Sequence, residues 1–392
     1  MAASVTIFHN VVWSRHKGAV LSALYSQSAA SPIRYTMVQI AETEYYRVGF
    51  SDVDYSFHKY PMHQLYAGCY EDVPRWKMTA RLTWEVIKAR SELVVLPGYH
   101  RPEYWAMLLA CIVTGKRRAV FCDSTGHDRP RRMVTSIPKR LFFSLCHGYF
   151  GFGERSREYL MSLGARPERI FTPCQAAAMP ATYQPEQVVR QRLSHRADGK
   201  PVFLYVGRLS EEKGLDTLLV AFAGLRGQLP AATLRMVGTG PLAGTLRQMA
   251  ASLGIEDAVE LVGSKQDEEL SQEYYRALCM VLPSYSEPWG LVVNEALSHG
   301  CPTVASDICG CVPELVLEGE TGFAVPVRDA AALQAGMARA VAAFADTQAT
   351  AERCLAVIRR FDPASAASNI ARGCAAMLSE PDLRQHAGGV RT

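Results

Sequence analysis

The chain has 392 residues, 48% of them hydrophobic and 20% charged, and a formal net charge of +4. That length exceeds one ordinary core and that composition excludes a disordered chain, so two packed domains are expected. The charge is divided, because residues 1–180 carry 23 Lys and Arg against 14 Asp and Glu while residues 181–392 carry 19 against 24, which points to an anionic partner for the N-terminal half alone.

The opening run, Met1 to His9, has neither a basic leader nor a long apolar stretch, so Val5–His9 reads as a first strand and not as a signal peptide. Further strands are expected at Tyr35–Ile40, Leu93–Leu96, Arg118–Cys122 and Ile170–Thr172, separated by segments long enough for crossover helices. The longest strongly apolar run, Tyr104 to Val113, is too short to span a bilayer and reads as a buried helix, which predicts a cytoplasmic protein. The basic residues of this half do not interleave with aromatics in any nucleic-acid reader motif, so nucleic acid is not expected as a partner. Lys116-Arg117-Arg118 and the run Arg129 to Phe143, with Arg131, Arg132, Lys139 and Arg140, set cations beside apolar residues. That mixture fits an anionic membrane surface, with the protein peripheral at the inner face of the cell membrane; the alternative is a solvated basic face.

Pro173 to Lys200 is rich in Pro, small and polar residues and is read as the linker. The expected division is 1–180 as the N-terminal domain, 181–199 as the linker, 200–362 as the C-terminal domain and 363–392 as a terminal helix with its tail. The second half carries strands at Val202–Val206, Thr233–Val237, Val259–Val262, Met280–Leu282, Thr303–Ala305 and Phe323–Val325. Asp362 followed by Pro363 marks a helix start, giving a last helix over roughly Pro363–Leu378. Alternating strand and helix patterns of this kind predict an α/β protein of doubly wound parallel sheets.

Three strand-end segments of the second half carry chemistry. After Val202–Val206 comes Gly207-Arg208-Leu209, then Lys213-Gly214, two cations on a loop entering a helix, a pattern that neutralises a diphosphate without a metal. After Thr233–Val237 comes the turn Gly238-Thr239-Gly240-Pro241. After Met280–Leu282 comes Glu287-Pro288-Trp289-Gly290-Leu291, and Glu295 falls one turn into the next helix. If Gly290 opens that helix, its N–H groups and positive dipole end suit an anion, with one carboxylate on each side to bind hydroxyls. Taken singly, each of these residues is as readily a solvated loop or helix-start residue.

Other patterns are weaker. The eleven cysteines are scattered in apolar surroundings and read as reduced core residues, and Cys309-x-Cys311 lacks the partners of a zinc site. Asp52-Val53-Asp54 matches a D-x-D metal motif but follows no recognisable buried strand. The Gly238 segment departs from the dinucleotide fingerprint by one place at its third glycine.

Together, the strand-Gly-Arg-Leu-x3-Lys-Gly string, the Gly238–Leu242 turn and the Glu287-x7-Glu295 segment resemble family 4 of the retaining nucleotide-sugar glycosyltransferases, closely from Pro201 to about Val327 and loosely elsewhere. The resemblance implies the GT-B fold, two Rossmann-like domains facing a central cleft, with the last helix crossing back to the first domain. It implies sugar transfer from a UDP- or GDP-linked donor to a glycan or polyprenyl-linked acceptor with retained configuration, in cell-surface polysaccharide biosynthesis, and no cofactor or metal. Arg208 and Lys213 would stabilise the leaving diphosphate, Glu287 would hold sugar hydroxyls and Glu295 the ribose. Gly207, Gly238, Gly240, Trp289, Gly290 and Leu291 would line the nucleotide. In the first half, Gly18 of His16-Lys17-Gly18-Ala19 stands in the family's glycine loop, here without its paired glycines. His127, in Asp123-Ser124-Thr125-Gly126-His127-Asp128, stands near the reacting sugar, with Ser124 and Asp123 as alternatives. A sugar-nucleotide epimerase of the same fold and a non-catalytic carbohydrate-binding protein are the competing readings.

Overall fold

A computed structural model of the chain describes residues 3–47, 52–126, 133–197 and 199–379. Its first half contains strands β1 (Ala3–Val11), β2 (Ile33–Ala41), β3 (Met62–Gln64), β4 (Leu93–Leu96), β5 (Arg117–Cys122), β6 (Gly148–Gly151) and β7 (Ile170–Phe171). Between them lie helices α1 (Arg15–Gln27), α2 (Arg75–Lys88), α3 (Pro102–Val113), α4 (Met133–Ser144) and α5 (Glu154–Ser162). The second half opens with α6 (Val188–His195) and holds strands β8 (Val202–Val206), β9 (Thr233–Val237), β10 (Val259–Gly263), β11 (Cys279–Leu282), β12 (Thr303–Ser306) and β13 (Gly322–Val325). Its other helices are α7 (Leu215–Arg226), α8 (Ala243–Ser252), α9 (Asp267–Arg276), α10 (Leu291–Ser298), α11 (Val312–Leu315), α12 (Ala330–Ala343), α13 (Thr347–Ile358) and α14 (Pro363–Ser379).

The strands form two sheets, ordered β3-β2-β1-β4-β5-β6-β7 and β10-β9-β8-β11-β12-β13, with every neighbouring pair parallel. Sequences such as Leu93-Val94-Val95-Leu96 and Cys279-Met280-Val281-Leu282 are buried throughout, as a strand covered on both faces requires. Strand order reverses between β1 and β4 and again between β8 and β11, and the crevice beyond the strands' carboxyl ends at such a reversal is where open α/β sheets take ligands. The doubly wound α/β expectation holds for both halves.

All six strands expected in the second half are present, and β3 and β6 are the two missed in the first. Met62-His63-Gln64 is too short to show a period, and Gly148-Tyr149-Phe150-Gly151 is framed by glycines that read as turns. Gly148 has a packing reason, since a Cβ there would stand 2.5 Å from the Met377 sulfur.

The segment expected to be a linker, 181–199, is instead largely structured. Helix α6 packs on α9 and α13, and its Arg192, 1% exposed, donates to the carbonyls of Tyr274 at 2.8 Å and Tyr275 at 3.2 Å. A composition of Pro and small residues did not reveal that one arginine ties this helix to the second half.

The terminal helix behaves as expected of its cap. Asp362 accepts a hydrogen bond from Ser365 N at 2.7 Å, and α14 returns to the first sheet, where Ala366, Ile370, Cys374 and Met377 join the core with Ile7, Val20 and Phe150.

The basic segments match expectation only in part. Lys116 donates to Ala89 O at 2.7 Å, Arg117 to Met377 O and Arg118 to Leu145 O, so these cations are spent on main-chain carbonyls. Phe142 and Phe143 are fully buried, and Arg131 and Arg132 lie outside the described residues. Ile137 and Leu141 of the second run are nevertheless exposed, as are Trp76, Trp84 and Ile87 on α2 and Leu109 and Val113 on α3. Among the described residues no helix is long and apolar enough to cross a membrane.

Helix α14 approaches the first sheet closely because Gly373 has no side chain: a Cβ there would stand 2.5 Å from Phe150 and 2.8 Å from Phe171. Gly373→Val is therefore expected to lower stability by about 1–3 kcal/mol through overpacking. Urea denaturation measures it, and an unchanged midpoint would show that the helix docks without needing this approach.

Candidate active site

The site is built from strand-end loops. Gly207, directly after β8, has φ +152°, and a Cβ at Gly238, directly after β9, would stand 1.9 Å from the Gly207 carbonyl oxygen. A Cβ at Gly240 would stand 2.4 Å from the Leu209 carbonyl oxygen. These glycines are required because two loops cross backbone against backbone, whatever else they touch. Tyr205 OH donates to Arg208 O at 2.6 Å and steadies the same turn.

Of the two cations on the first loop, Arg208 points outward, 45% exposed, and pairs with Glu212 at 2.9 Å. Lys213 turns inward and donates to Glu287 Oε2 at 2.6 Å, both side chains being largely buried. Sequence spacing did not reveal this pair, which joins the loop after β8 to the loop after β11.

The Glu287 loop is pinned from behind. Gly310 N donates to Glu287 O and Cys311 N to Trp289 O, each at 3.0 Å. The Trp289 indole is 4% exposed and donates to Asn294 Oδ1 at 2.8 Å, so it packs inside the protein and contributes to the site only through its backbone. Gly290, at φ +101°, is the residue before α10. Like every first turn, that of α10 leaves N–H groups without helical acceptors.

Two adjoining cavities open on either side of this turn, sharing His16, Arg47 and Leu291. The larger, about 500 Å³, lies between the halves and is lined by Glu287 to Leu291 on one side and by Lys17, Tyr99, His100, Asp123 and Gln175 on the other. The smaller, about 370 Å³, holds Glu295, Tyr274, Trp13 and the Ser264–Asp267 loop. Glu295 accepts from Tyr274 OH at 2.9 Å, and burial pushes its carboxyl up to about 7 against that hydrogen bond and the nearby Arg15. Tyr274 stacks on His299 with ring centres 5.1 Å apart.

The sequence-derived residues thus fall into groups. Glu287, Gly290 and Leu291 meet in the larger cavity and Glu295 in the smaller, and Lys213 joins through Glu287 while Arg208 stays at the rim. Gly18 belongs to α1, not to a loop, and a Cβ there would meet the His58 ring at 2.8 Å; packing on His58 accounts for it. His127 lies outside the described residues, Ser124 is hydrogen-bonded to Tyr99 OH at 2.7 Å, and Asp123 lines the larger cavity. Asp54 caps a short turn at Ser56 N and pairs with Arg15. Among the described residues no cluster of His, Cys, Asp and Glu is arranged to hold a metal, and all eleven cysteines are free thiols. Tyr274, Lys17 and Gln175 were missed, and only Lys17 gave a signal, as a departure from paired glycines.

The family model for glycosyl transferases group 1 matches residues 190–351. That match covers less than half of the chain. Over 155 residues the chain is 39% identical to the glycogen synthase of Mycobacterium tuberculosis, covering 40% of this chain and 36% of that protein. Over 287 residues it is 29% identical to the D-inositol 3-phosphate glycosyltransferase of Nocardia farcinica, covering 66% and 63%. The chain thus aligns with less than two thirds of the length of either relative. The structure of Anabaena Alr3699/HepE in complex with UDP and glucose superposes with a TM-score of 0.69 at 17% identity, over 95% of this chain and all of that one, and the fold is GT-B. The group 1 segment contains the three strand-end loops and Glu295, whereas the opposite wall of the cleft comes from residues outside it.

Removing one partner of a buried ion pair strands the other charge. Lys213→Met is expected to cost about 3 kcal/mol of stability, with Glu287→Gln in the same chain restoring most of it. Comparing the urea midpoints of the single and double variants measures the coupling; equal midpoints for wild type and Lys213→Met would mean the pair carries no stability.

Proposed function

We propose that the chain is a retaining glycosyltransferase moving a sugar from a UDP- or GDP-linked donor to a glycan or lipid-linked acceptor of surface polysaccharide assembly, without a metal. The observation that carries this reading is the placement of Glu287 and Glu295 in adjoining cavities on either side of the α10 N-terminus. An anion at that N-terminus has a sugar on one side within reach of Glu287 and a ribose on the other within reach of Glu295. The group 1 match and the fold shared with a protein solved with UDP and glucose support the same assignment.

In this reading the bond from sugar C1 to the phosphate oxygen breaks with its electron pair going to the diphosphate. The acceptor hydroxyl oxygen bonds to C1 on the same face, and its proton passes to the departing phosphate oxygen. The protein's contribution is positioning and charge: Lys213 and Arg208 offset the diphosphate, Lys213 by leaving Glu287 when the donor enters, and Asp123 faces the reacting sugar.

The test is nucleoside diphosphate release from UDP- and GDP-sugars in excess EDTA. Wild type is expected to release it, and Glu287→Ala and Glu295→Ala to lose at least tenfold in rate with unchanged circular dichroism, as a hydrogen bond to a charged group contributes about 1.5–3 kcal/mol. Proton NMR of the first sugar anomer formed should show the donor's configuration. Near-wild-type rates for both variants would sink the site. An inverted anomer would sink retention, activity only with added manganese would sink the metal-free mechanism, and release of an epimerised sugar would favour the epimerase.

The anionic partner of the first half is proposed to be an anionic membrane surface, contacted through α2. Trp76, Ala80, Trp84 and Ile87 form one stripe of that helix, with Trp76 75% and Trp84 58% exposed, beside Lys77, Arg81 and Lys88. Tryptophans flanked by cations fit the interface of an anionic bilayer. Trp76→Ser with Trp84→Ser should abolish sedimentation with phosphatidylglycerol vesicles that wild type shows at low salt. Sedimentation that survives both substitutions would mean this face does not meet lipid.

A further inference from the structure

Lys17 stands where the family resemblance leads one to expect a glycine, and its surroundings are unusual for a lysine. It is 7% exposed, and among the described residues its ammonium has no hydrogen-bond partner. It lies over two phenyl rings, 4.8 Å from the centre of Phe121 and 4.6 Å from that of Phe152. Two aromatic faces offset part of the cost of burying a cation, yet burial lowers the Lys17 ammonium to about 8 even with the Asp123 carboxylate nearby. Its charge helps keep the buried imidazoles of His9 and His16 neutral. A buried cation without a hydrogen-bond partner costs stability, and its presence calls for an explanation.

The position supplies an explanation. Lys17 shares the larger cavity with the turn Trp289-Gly290-Leu291 on the opposite wall, and Phe152, on which it lies, meets Trp289 edge to face at 6.5 Å. Gln175, 2% exposed, lines the same wall, and among the described residues its side-chain carbonyl oxygen has no hydrogen-bond partner, an acceptor suited to a sugar hydroxyl. A buried cation and the N-terminus of an eight-residue helix thus face one space from the two halves of the protein.

We propose that Lys17 is a binding residue for the donor's diphosphate, gripping it from the first half while α10 and Lys213 hold it from the second. This rests on the donor reading above. It gives the wall opposite the group 1 segment a charge that backbone N–H groups of a glycine turn would otherwise have to supply, and it makes nucleotide binding draw on both halves at once.

The experiment is calorimetric titration of UDP and GDP into the full chain, with uridine and guanosine followed by ligand-observed NMR. Lys17→Met, which keeps the apolar stem between the rings, should bind the preferred nucleoside diphosphate at least tenfold more weakly, with the nucleoside affinity changed less than twofold. Without nucleotide it should melt at or above the wild-type temperature, because an unpaired buried charge has been removed. Lys17→Gln should repeat the affinity loss if the methionine variant does not fold. Unchanged diphosphate affinity would overturn the proposal, and so would a lower melting temperature with diphosphate and nucleoside weakened together, the mark of a packing role. Wild type binding neither UDP nor GDP would remove the donor reading itself, a failure visible before any substitution is made.

Discussion

A parallel strand is followed by another only if the chain returns across a face of the sheet, so every loop that leaves a strand's carboxyl end emerges on one edge. The rest of the molecule depends on this constraint. It places Gly207, Gly238 and Glu287, which are far apart in sequence, on the same edge of the second sheet, and it places Lys17, Tyr99 and Asp123 near the corresponding edge of the first. Turning these edges toward each other makes a cleft whose two walls come from different halves. The chemistry then needs no long-range arrangement beyond a short loop at each strand end.

Inside the cleft, charges are held in pairs or in isolation, with different consequences. Lys213 and Glu287 neutralise one another at 2.6 Å, so neither is an uncompensated buried charge, and a ligand that binds either must compete with the other. Glu295 is held with Tyr274 in a setting that favours the neutral carboxyl, pushed up to about 7, so hydroxyl groups meet a weaker acceptor at neutral pH than in mildly alkaline solution. Among the described residues, no side chain accepts a hydrogen bond from the Lys17 ammonium.

The second half was legible in the sequence nearly strand by strand, because its strands are continuous apolar runs and its turns carry glycines where left-handed or crowded backbone leaves no alternative. The Glu287 and Glu295 spacing was legible for a related reason: a strand, a glycine-opened turn and a helix fix where both residues fall. The first half was less so. Strand β6 is framed by glycines, of which Gly148 lets α14 approach, and the same residue type that normally signals a turn here signals close packing. Helix α6 was hidden in a stretch whose composition reads as linker, since the decisive contact, Arg192 on the carbonyls before β11, is long-range. The run ending at Phe143 is exposed at Ile137 and Leu141 but buried at Phe142 and Phe143, because sequence does not tell which face of an amphipathic segment the sheet covers. Pairings such as Lys213 with Glu287 join residues 74 apart, and no local period records them.

The return of α14 to the first sheet means that the chain passes between the halves twice, once after β7 and once at Phe361–Pro363, and both passages border one further cavity lined by Pro180, Tyr183, Arg359 and Asp362. A body joined to another by a single strand can swivel about any direction, whereas two separated attachments define a line. Rotation of one half against the other that leaves both crossings in place would turn about the line through them, as a door turns on two pins, and it would have to part the contacts that join the halves elsewhere, Arg15 with Asp267 at 3.0 Å and Glu154 N with Glu314 at 2.9 Å.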